Sequence, residues 1–332
     1  MTQFYFDGQR FESSEGESVL DTLVKAGHEL NYSCKKGICK TCIVQHVSGT
    51  LSVGSQRGLD STLKENGYVC SCQCRPTDGL KLKSVMTQDL FISGSLLSKK
   101  FLSESVVEVV IKLSQPIEAR AGQYVNLRRF DGLTRSYSLA SGSDARQVVL
   151  HVRRKYNGQF SDWLFHRAGN GERLLVQGPL GKAYYQPHFK QDTLVVIASG
   201  TGLGAAYFMV QAAIERHHEG PIYLYYGANN IDELYMHSQL LQAAMRYRQL
   251  QYLGCVSKLD SMQTLPGKVV LGDPFEHAAE QHQFDRQHRV VLCGEPSFVN
   301  AGRETAFLNG VPIERVHAIA FEYKNLRSRE RA

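Results

Sequence analysis

"CKKGICKTC", from Cys34 to Cys42, decides how the rest of the chain is read. Its three cysteines stand at x4 and x2 spacing, the pattern of a loop that wraps a 2Fe–2S cluster, and that pattern needs one more thiolate downstream. Three ligands from one short loop require the backbone to fold around the cluster with its amides turned toward sulfur. Gly37 suits this, because a residue without Cβ allows close backbone approach and positive φ. A zinc site and a group of unrelated buried thiols are the alternatives, and zinc loops usually pair CxxC elements, which the four-residue gap does not. Downstream, "YVCSCQCRP" (Tyr68–Pro76) offers three thiols at alternate positions, Cys70, Cys72 and Cys74.

Working outward, six of the eight cysteines lie between Cys34 and Cys74, so the first quarter of the chain differs chemically from the rest. The 332 residues are 42% hydrophobic and 21% charged, ordinary for a globular protein of two or three domains. A net charge of +6 with no Lys/Arg block argues against a nucleic-acid partner, and the terminal "RSRERA" reads as a solvated tail. No apolar run is long enough for a transmembrane helix, so no membrane insertion is expected. The first residues lack the basic and apolar regions of a signal peptide. A cytoplasmic location is therefore expected, where clustered cysteines more often serve metal or redox chemistry than disulfides.

The pattern changes twice along the chain. "QFYFDGQRFESS" reads as two strands about a turn at Asp7–Gly8, and "SVLDTLVKAGHEL" as a helix capped by Ser18 and stopped by Gly27. With strands in "CIVQHVSGTLSV" and "GLKLKSV", this is a small α+β unit, assigned to residues 1–87. "MTQDLFISGSLLSKK" reads as a join. Residues 98–188 carry β runs such as "SVVEVVIKL", "GQYVNLRRF", "RSYSLAS" and "QVVLHVRR", the spacing of a barrel. Residues 189–332 alternate apolar strands ("TLVVIASG", "PIYLYYGA", "HRVVLCG") with helical segments ("TGLGAAYFMVQAAIERHHEG", "IDELYMHSQLLQAAMRY"), which argues for a parallel sheet.

"YSCKKGICKTC…VCSCQCRP" resembles the ferredoxin domain of bacterial oxygenase reductases. In that family twenty-nine residues separate the third and fourth ligands, and a proline follows four positions on. Counted from Cys42 the resemblance selects Cys72, with Pro76 in place, and gives the metal ligands Cys34, Cys39, Cys42 and Cys72. Cys70 and Cys74 are then small buried neighbours. Lys35, Lys36 and Lys40 beside the loop would favour the reduced cluster and could dock an acidic acceptor.

The order "GQYVNL", "RSYS", "HVRRKYNGQFSDWL", "GPLG" resembles the ferredoxin–NADP reductase-like flavoproteins, whose RxYS strand and GxxS turn hold FAD. Carried over, the likeness puts the Arg135 guanidinium on the FAD diphosphate, Tyr137 against the flavin and Ser138 at the flavin N5 edge. The backbone of Gly158, Gln159, Phe160 and Ser161 would cradle phosphate, helped by Arg153 or Arg154. Trp163 reads as helix packing. "IASGTGLGAAYF" resembles the family's GTG turn, with Gly200, Thr201 and Gly202 on the nicotinamide nucleotide, although Ala205 replaces the usual proline. Cys293 and Gly294 in "VLCGEPSF" resemble the CG-x-P turn, whose cysteine lies beside the nicotinamide. Cys255 reads as core, and "HH" at 217–218 as a solvated helix end. Phe321 or Tyr323 would cover the flavin.

Together the resemblances span nearly the whole chain. They imply a multidomain α+β, β and α/β protein: a β-grasp ferredoxin domain, an antiparallel β-barrel FAD domain and a parallel-sheet nucleotide-binding domain. The implied activity is an NAD(P)H-dependent flavin/iron–sulfur reductase that passes electrons from NADH through FAD and a 2Fe–2S cluster to an oxygenase component or a small ferredoxin. NADH is favoured over NADPH, because Ala228, Asn229, Asn230, Asp232 and Glu233 follow Gly227 where a 2′-phosphate would want a cation. The alternatives are the reductase of a CDP-sugar deoxygenation pathway and a non-catalytic redox carrier or sensor.

Overall fold

A computed structural model describes the chain from residue 1 to 321, apart from 60, 87–89, 143 and 260–262. Its first sheet joins β1 (Thr2–Phe6), β2 (Gln9–Ser13), β3 (Ile43–Ser48), β4 (Tyr68–Cys70) and β5 (Leu80–Lys83) in the order β2-β1-β5-β3-β4. β1 and β5 are parallel and the other pairs antiparallel. α1 (Val19–Lys25) begins where expected, with the Ser18 hydroxyl accepting from the Asp21 amide. Its Val19 and Leu23 fill a core with Phe4, Phe6 and Phe11. A single turn, α2 (Ser61–Glu65), precedes β4.

The second sheet closes on itself. β6 (Ile92–Phe101), β7 (Val106–Leu113), β8 (Tyr124–Arg128), β9 (Thr134–Ser141), β10 (Gln147–Arg153) and β11 (Arg173–Leu180) form a barrel of order β10-β7-β6-β11-β8-β9. Much of the segment read as a join is therefore strand. "ISGSLLSKK" has too little hydrophobic alternation to announce one, and the barrel supplies hydrogen-bonding partners on both sides, β7 and β11. α3 (Ser161–His166) follows β10.

The third sheet is wholly parallel and runs β15-β14-β13-β12-β16-β17. It contains β12 (Thr193–Ser199), β13 (Ile222–Ala228), β14 (Leu250–Val256), β15 (Val269–Leu271), β16 (His288–Gly294) and β17 (Val316–Ala320), with α4 (Gly202–Glu215), α5 (His237–Arg246), α6 (Pro274–Gln281) and α7 (Pro296–Leu308) in the connections. β12 is buried from Leu194 to Ala198, as a central strand covered on both faces must be. α5 starts later than the sequence suggests, because Met236 takes a left-handed conformation (φ 64°) that breaks the helical run. His218 also corrects the sequence reading. It is buried, its ring nitrogens bonding the Tyr185 hydroxyl and the Asp192 carbonyl, so it ties the end of α4 to the start of β12.

Candidate functional site

The cluster loop is shaped by left-handed backbone at Lys35 (φ 55°), Gly37 (φ 71°) and Lys40 (φ 60°). This curls the loop so that its amides face sulfur. The Lys36 and Cys39 amides donate to Cys34 Sγ at 3.3 and 3.4 Å, and the Cys34 amide donates to Cys39 Sγ at 3.5 Å. Amides aimed at sulfur in this way would stabilise the thiolates that a cluster needs. The Gly37 amide and the Gln73 side chain, at 3.6 Å, both reach Cys72 Sγ.

Among the described residues no three ligand side chains converge on one point, as a single metal ion would ask. The thiols instead approach in pairs, Cys34 with Cys39 and Cys42 with Cys72. Two pairs fit two irons. Cys70 reaches the Cys42 thiol as well, so it adjoins the site. Cys74 turns the other way into the core of Phe4 and Phe6, near Ser52 and Ser55. Gln73 went unnoticed in the sequence. A Cβ on Gly37 would stand 2.7 Å from its side chain, so the glycine leaves room for Gln73 to lie over the loop. Lys40 is buried, its ammonium on the Gly37 carbonyl, and Lys35 pairs with Asp21 at 2.8 Å. Of the three lysines expected to dock an acceptor, Lys40 is thus turned inward.

The loop rests on the barrel. The Tyr124 hydroxyl donates to the Ile38 carbonyl, and Asn126 Nδ2 donates to the Cys39 carbonyl at 2.7 Å. Beside this contact lies a cleft of about 540 Å³ lined by Leu30, Asn31 and Tyr32 from the first unit and by Arg129, Arg135, Gln159 and Arg167 from the barrel, among others. Arg135 is half-buried, and burial lowers its pKa. A desolvated guanidinium in such a cleft suits a diphosphate. Arg129 and Arg167, which sequence reading missed, line it as well, Arg129 with its guanidinium paired to Asp131 and donating to the Gln159 carbonyl at 2.9 Å. Arg129 also lies over the Trp163 ring, 5.0 Å from its centroid.

Tyr137 is partly exposed and packs against Phe160, which is core. The expected phosphate cradle is narrower than the sequence implies. The Gly158 amide is spent on the Lys155 carbonyl and the Ser161 hydroxyl accepts from the Lys155 amide, leaving the Gln159 edge to face the cleft. Arg153 is turned elsewhere. Its guanidinium donates twice to Glu233 at 3.0 Å, beside Gly200 and away from the Gly158–Ser161 turn.

At the third sheet, α4 starts directly after β12, on the turn Gly200–Thr201–Gly202. A Cβ at Gly202 would stand 2.1 Å from the Cys293 carbonyl, so only glycine lets the helix start meet the end of β16. The amide end of a fourteen-residue helix at a strand terminus suits a diphosphate. Cys293 itself is fully buried, which pushes its thiol pKa up and keeps it neutral. Its part there is spatial. Phe321, half-buried, bonds the Gly294 carbonyl through its amide at 2.8 Å, and Tyr323 lies outside the described residues. Among the described residues no helix is long and apolar enough to cross a membrane.

The three units match three known families. Residues 4–77 match the 2Fe-2S iron-sulfur cluster binding domain, 93–185 the oxidoreductase FAD-binding domain and 196–304 the oxidoreductase NAD-binding domain. The chain is similar to the phenol hydroxylase P5 protein of Acinetobacter pittii (27% identity, covering 95% of this chain and 92% of that one). It is also similar to the reductase subunit of an aromatic O-demethylase from Amycolatopsis (28%, 95% and 96%). Among solved structures it resembles the Amycolatopsis cytochrome P450 reductase GcoB, with a TM-score of 0.69 at 26% identity over 97% of this chain and 99% of that one. The class is therefore an oxidoreductase that moves electrons among NADH, FAD and a 2Fe–2S cluster. The chain joins these three domains in the order 2Fe-2S, FAD-binding, NAD-binding, and in that it resembles the single-chain ferredoxin–FAD–NAD(P)H reductases.

Proposed function

We propose that this chain delivers electrons from NADH to an oxygenase component, or to a small ferredoxin ahead of one, in a hydroxylating system. The observation that carries the reading is the contact between the cluster loop and the barrel strands beside the Arg135 cleft. The relatives' printed names, a phenol hydroxylase protein and an O-demethylase reductase subunit, support the choice of acceptor.

FAD bound here would supply hydride acceptance and one-electron release, and a 2Fe–2S cluster one-electron carriage. The protein's own residues would hold and align. Cys34, Cys39, Cys42 and Cys72 would bind the irons. Arg135, aided by Arg167, would neutralise the FAD diphosphate, with Gln159 at the cleft wall. Tyr137 and Ser138 would hold the flavin. Gly200, Thr201 and Gly202 would receive the nucleotide diphosphate, and the backbone of Cys293 and Gly294 would wall the nicotinamide end. The preference for NADH is supported by the stretch after Gly227, which offers no free cation for a 2′-phosphate: Arg153, the cation near it, is taken up by Glu233. The reaction asks no side chain for a proton.

The test is reconstitution of the purified chain with NADH and the oxygenase component of a hydroxylating system. Product formation that requires both the chain and NADH is the expected result. Electrons that reach cytochrome c while the oxygenase component forms no product would contradict the proposed acceptor.

A further inference from the structure

Asn126 is fully buried, and every hydrogen-bonding group of its amide is used. Nδ2 donates to the Cys39 carbonyl at 2.7 Å and to Gln177 Oε1 at 2.6 Å, while Oδ1 accepts from the Ser136 hydroxyl at 2.7 Å. Ser136 lies between Arg135 and Tyr137 on the strand expected to hold the flavin. Cys39 is a cluster ligand in the reading above. One side chain therefore joins the flavin strand to the cluster loop.

The register of the barrel repeats the arrangement one step along. β8 and β9 are antiparallel, with Asn126 opposite Ser136 and Tyr124 opposite Ser138. Residues two apart on a strand share a face, so Tyr124, Asn126, Ser136 and Ser138 all look the same way. The Tyr124 hydroxyl bonds the Ile38 carbonyl, the residue before Cys39. Gly181 packs against the Tyr124 ring, where a Cβ would stand 3.3 Å away. Two successive carbonyls of the cluster loop are thus held by two alternate side chains of β8.

A buried amide is costly unless it is satisfied, and its orientation is fixed when it is. Turning the Asn126 amide over would set its oxygen against the Cys39 carbonyl. The bond at Cys39 is therefore directional, unlike an apolar contact, which could slide.

We propose that Tyr124 and Asn126 are positioning residues that seat the cluster loop on the flavin strand and form the hydrogen-bonded path, Ser136 to Asn126 to the Cys39 carbonyl, between the two redox sites. The proposal rests on the electron-transfer reading above. The two electrons of one hydride cross this contact singly and the hydride's proton goes to solvent. No protein bond forms or breaks.

The test uses holoprotein carrying Asn126→Leu, Tyr124→Phe or both, mixed anaerobically with NADH. Flavin bleaching and cluster bleaching are followed as separate phases, and amide hydrogen exchange of residues 34–42 is measured on the oxidised protein. Flavin reduction is expected to keep its rate. Cluster reduction should slow by about tenfold or more in the double variant, as a small misplacement can cost, and exchange across the loop should rise. An unchanged cluster phase, or flavin and cluster phases that fall together with loss of FAD, would overturn the proposal. A wild-type chain whose flavin NADH does not reduce would overturn the electron-transfer reading itself, and this proposal with it.

Discussion

Cys72 and Cys74 are two residues apart and belong to different cores. Cys72 sits with Cys42, Cys70 and Leu20 on the cluster side, while Cys74 joins Phe4, Phe6 and Leu80 within the sheet core. Cys72→Ala is expected to abolish the iron–sulfur absorption and leave bound FAD, whereas Cys74→Ala leaves the visible spectrum intact. Bleaching by the second substitution would show that the ligand register is wrong. The spacing of Cys34, Cys39 and Cys42 marked the cluster loop in the sequence, while the choice of Cys72 over its neighbours came from the family resemblance. Gln73 was not legible, since a lone glutamine has no pattern until the fold lays it over Gly37. Asn126 offers a fainter signal, a polar residue amid the apolar "YVNL". Gly202 is the other position where one atom decides the outcome. Gly202→Ala puts a methyl 2.1 Å from the Cys293 carbonyl, an overpacking that costs about 1–3 kcal/mol. A lower melting temperature and weaker NADH binding are expected; unchanged values for both would remove the close-approach argument.

At the scale of elements, the β8–β9 pair carries the cleft on one side and the cluster loop on the other. Arg135→Ala should remove charged hydrogen bonds worth about 1.5–3 kcal/mol to the FAD diphosphate, so the FAD dissociation constant should rise by roughly tenfold to a hundredfold. Retention of FAD at wild-type affinity, measured by flavin fluorescence, would assign the diphosphate to other residues. Arg153 shows where motif reading stops. Its place at the end of β10 suggested an anion, yet its partner is Glu233, eighty residues on, in the turn after β13. Sequence alone cannot pair a cation with a carboxylate that distant. Strand β6 was hidden for a similar reason, because its support comes from neighbours in the barrel rather than from its own alternation.

For the whole molecule, the order of three sheets was legible from the change of periodicity along the chain, and the contacts between them were not. Those contacts, the Tyr124 hydroxyl on the Ile38 carbonyl and Asn126 on the Cys39 carbonyl among them, hold the cluster loop against the barrel. The nucleotide unit should respond to acid. Burial, with His288 nearby, pushes His282 down to about 4, and burial, with Arg289 and His188 nearby, does the same to His317. The unfolded chain binds these protons near pH 6.5 and the folded chain does not. Their contribution is full above that value and is lost as pH falls toward 4. Thermal melting should therefore drop across that window, and a flat profile would contradict the burial of these rings.

The central claim is that one chain carries electrons from NADH through FAD to a 2Fe–2S cluster. Anaerobic titration of the purified holoprotein with NADH tests it most directly, with visible spectra for the flavin and low-temperature EPR for the cluster. The account expects the flavin absorption to bleach and a signal from a singly reduced 2Fe–2S cluster to grow, with uptake of two electrons per flavin and one per cluster. Flavin that bleaches while the cluster stays EPR-silent and oxidised would contradict it.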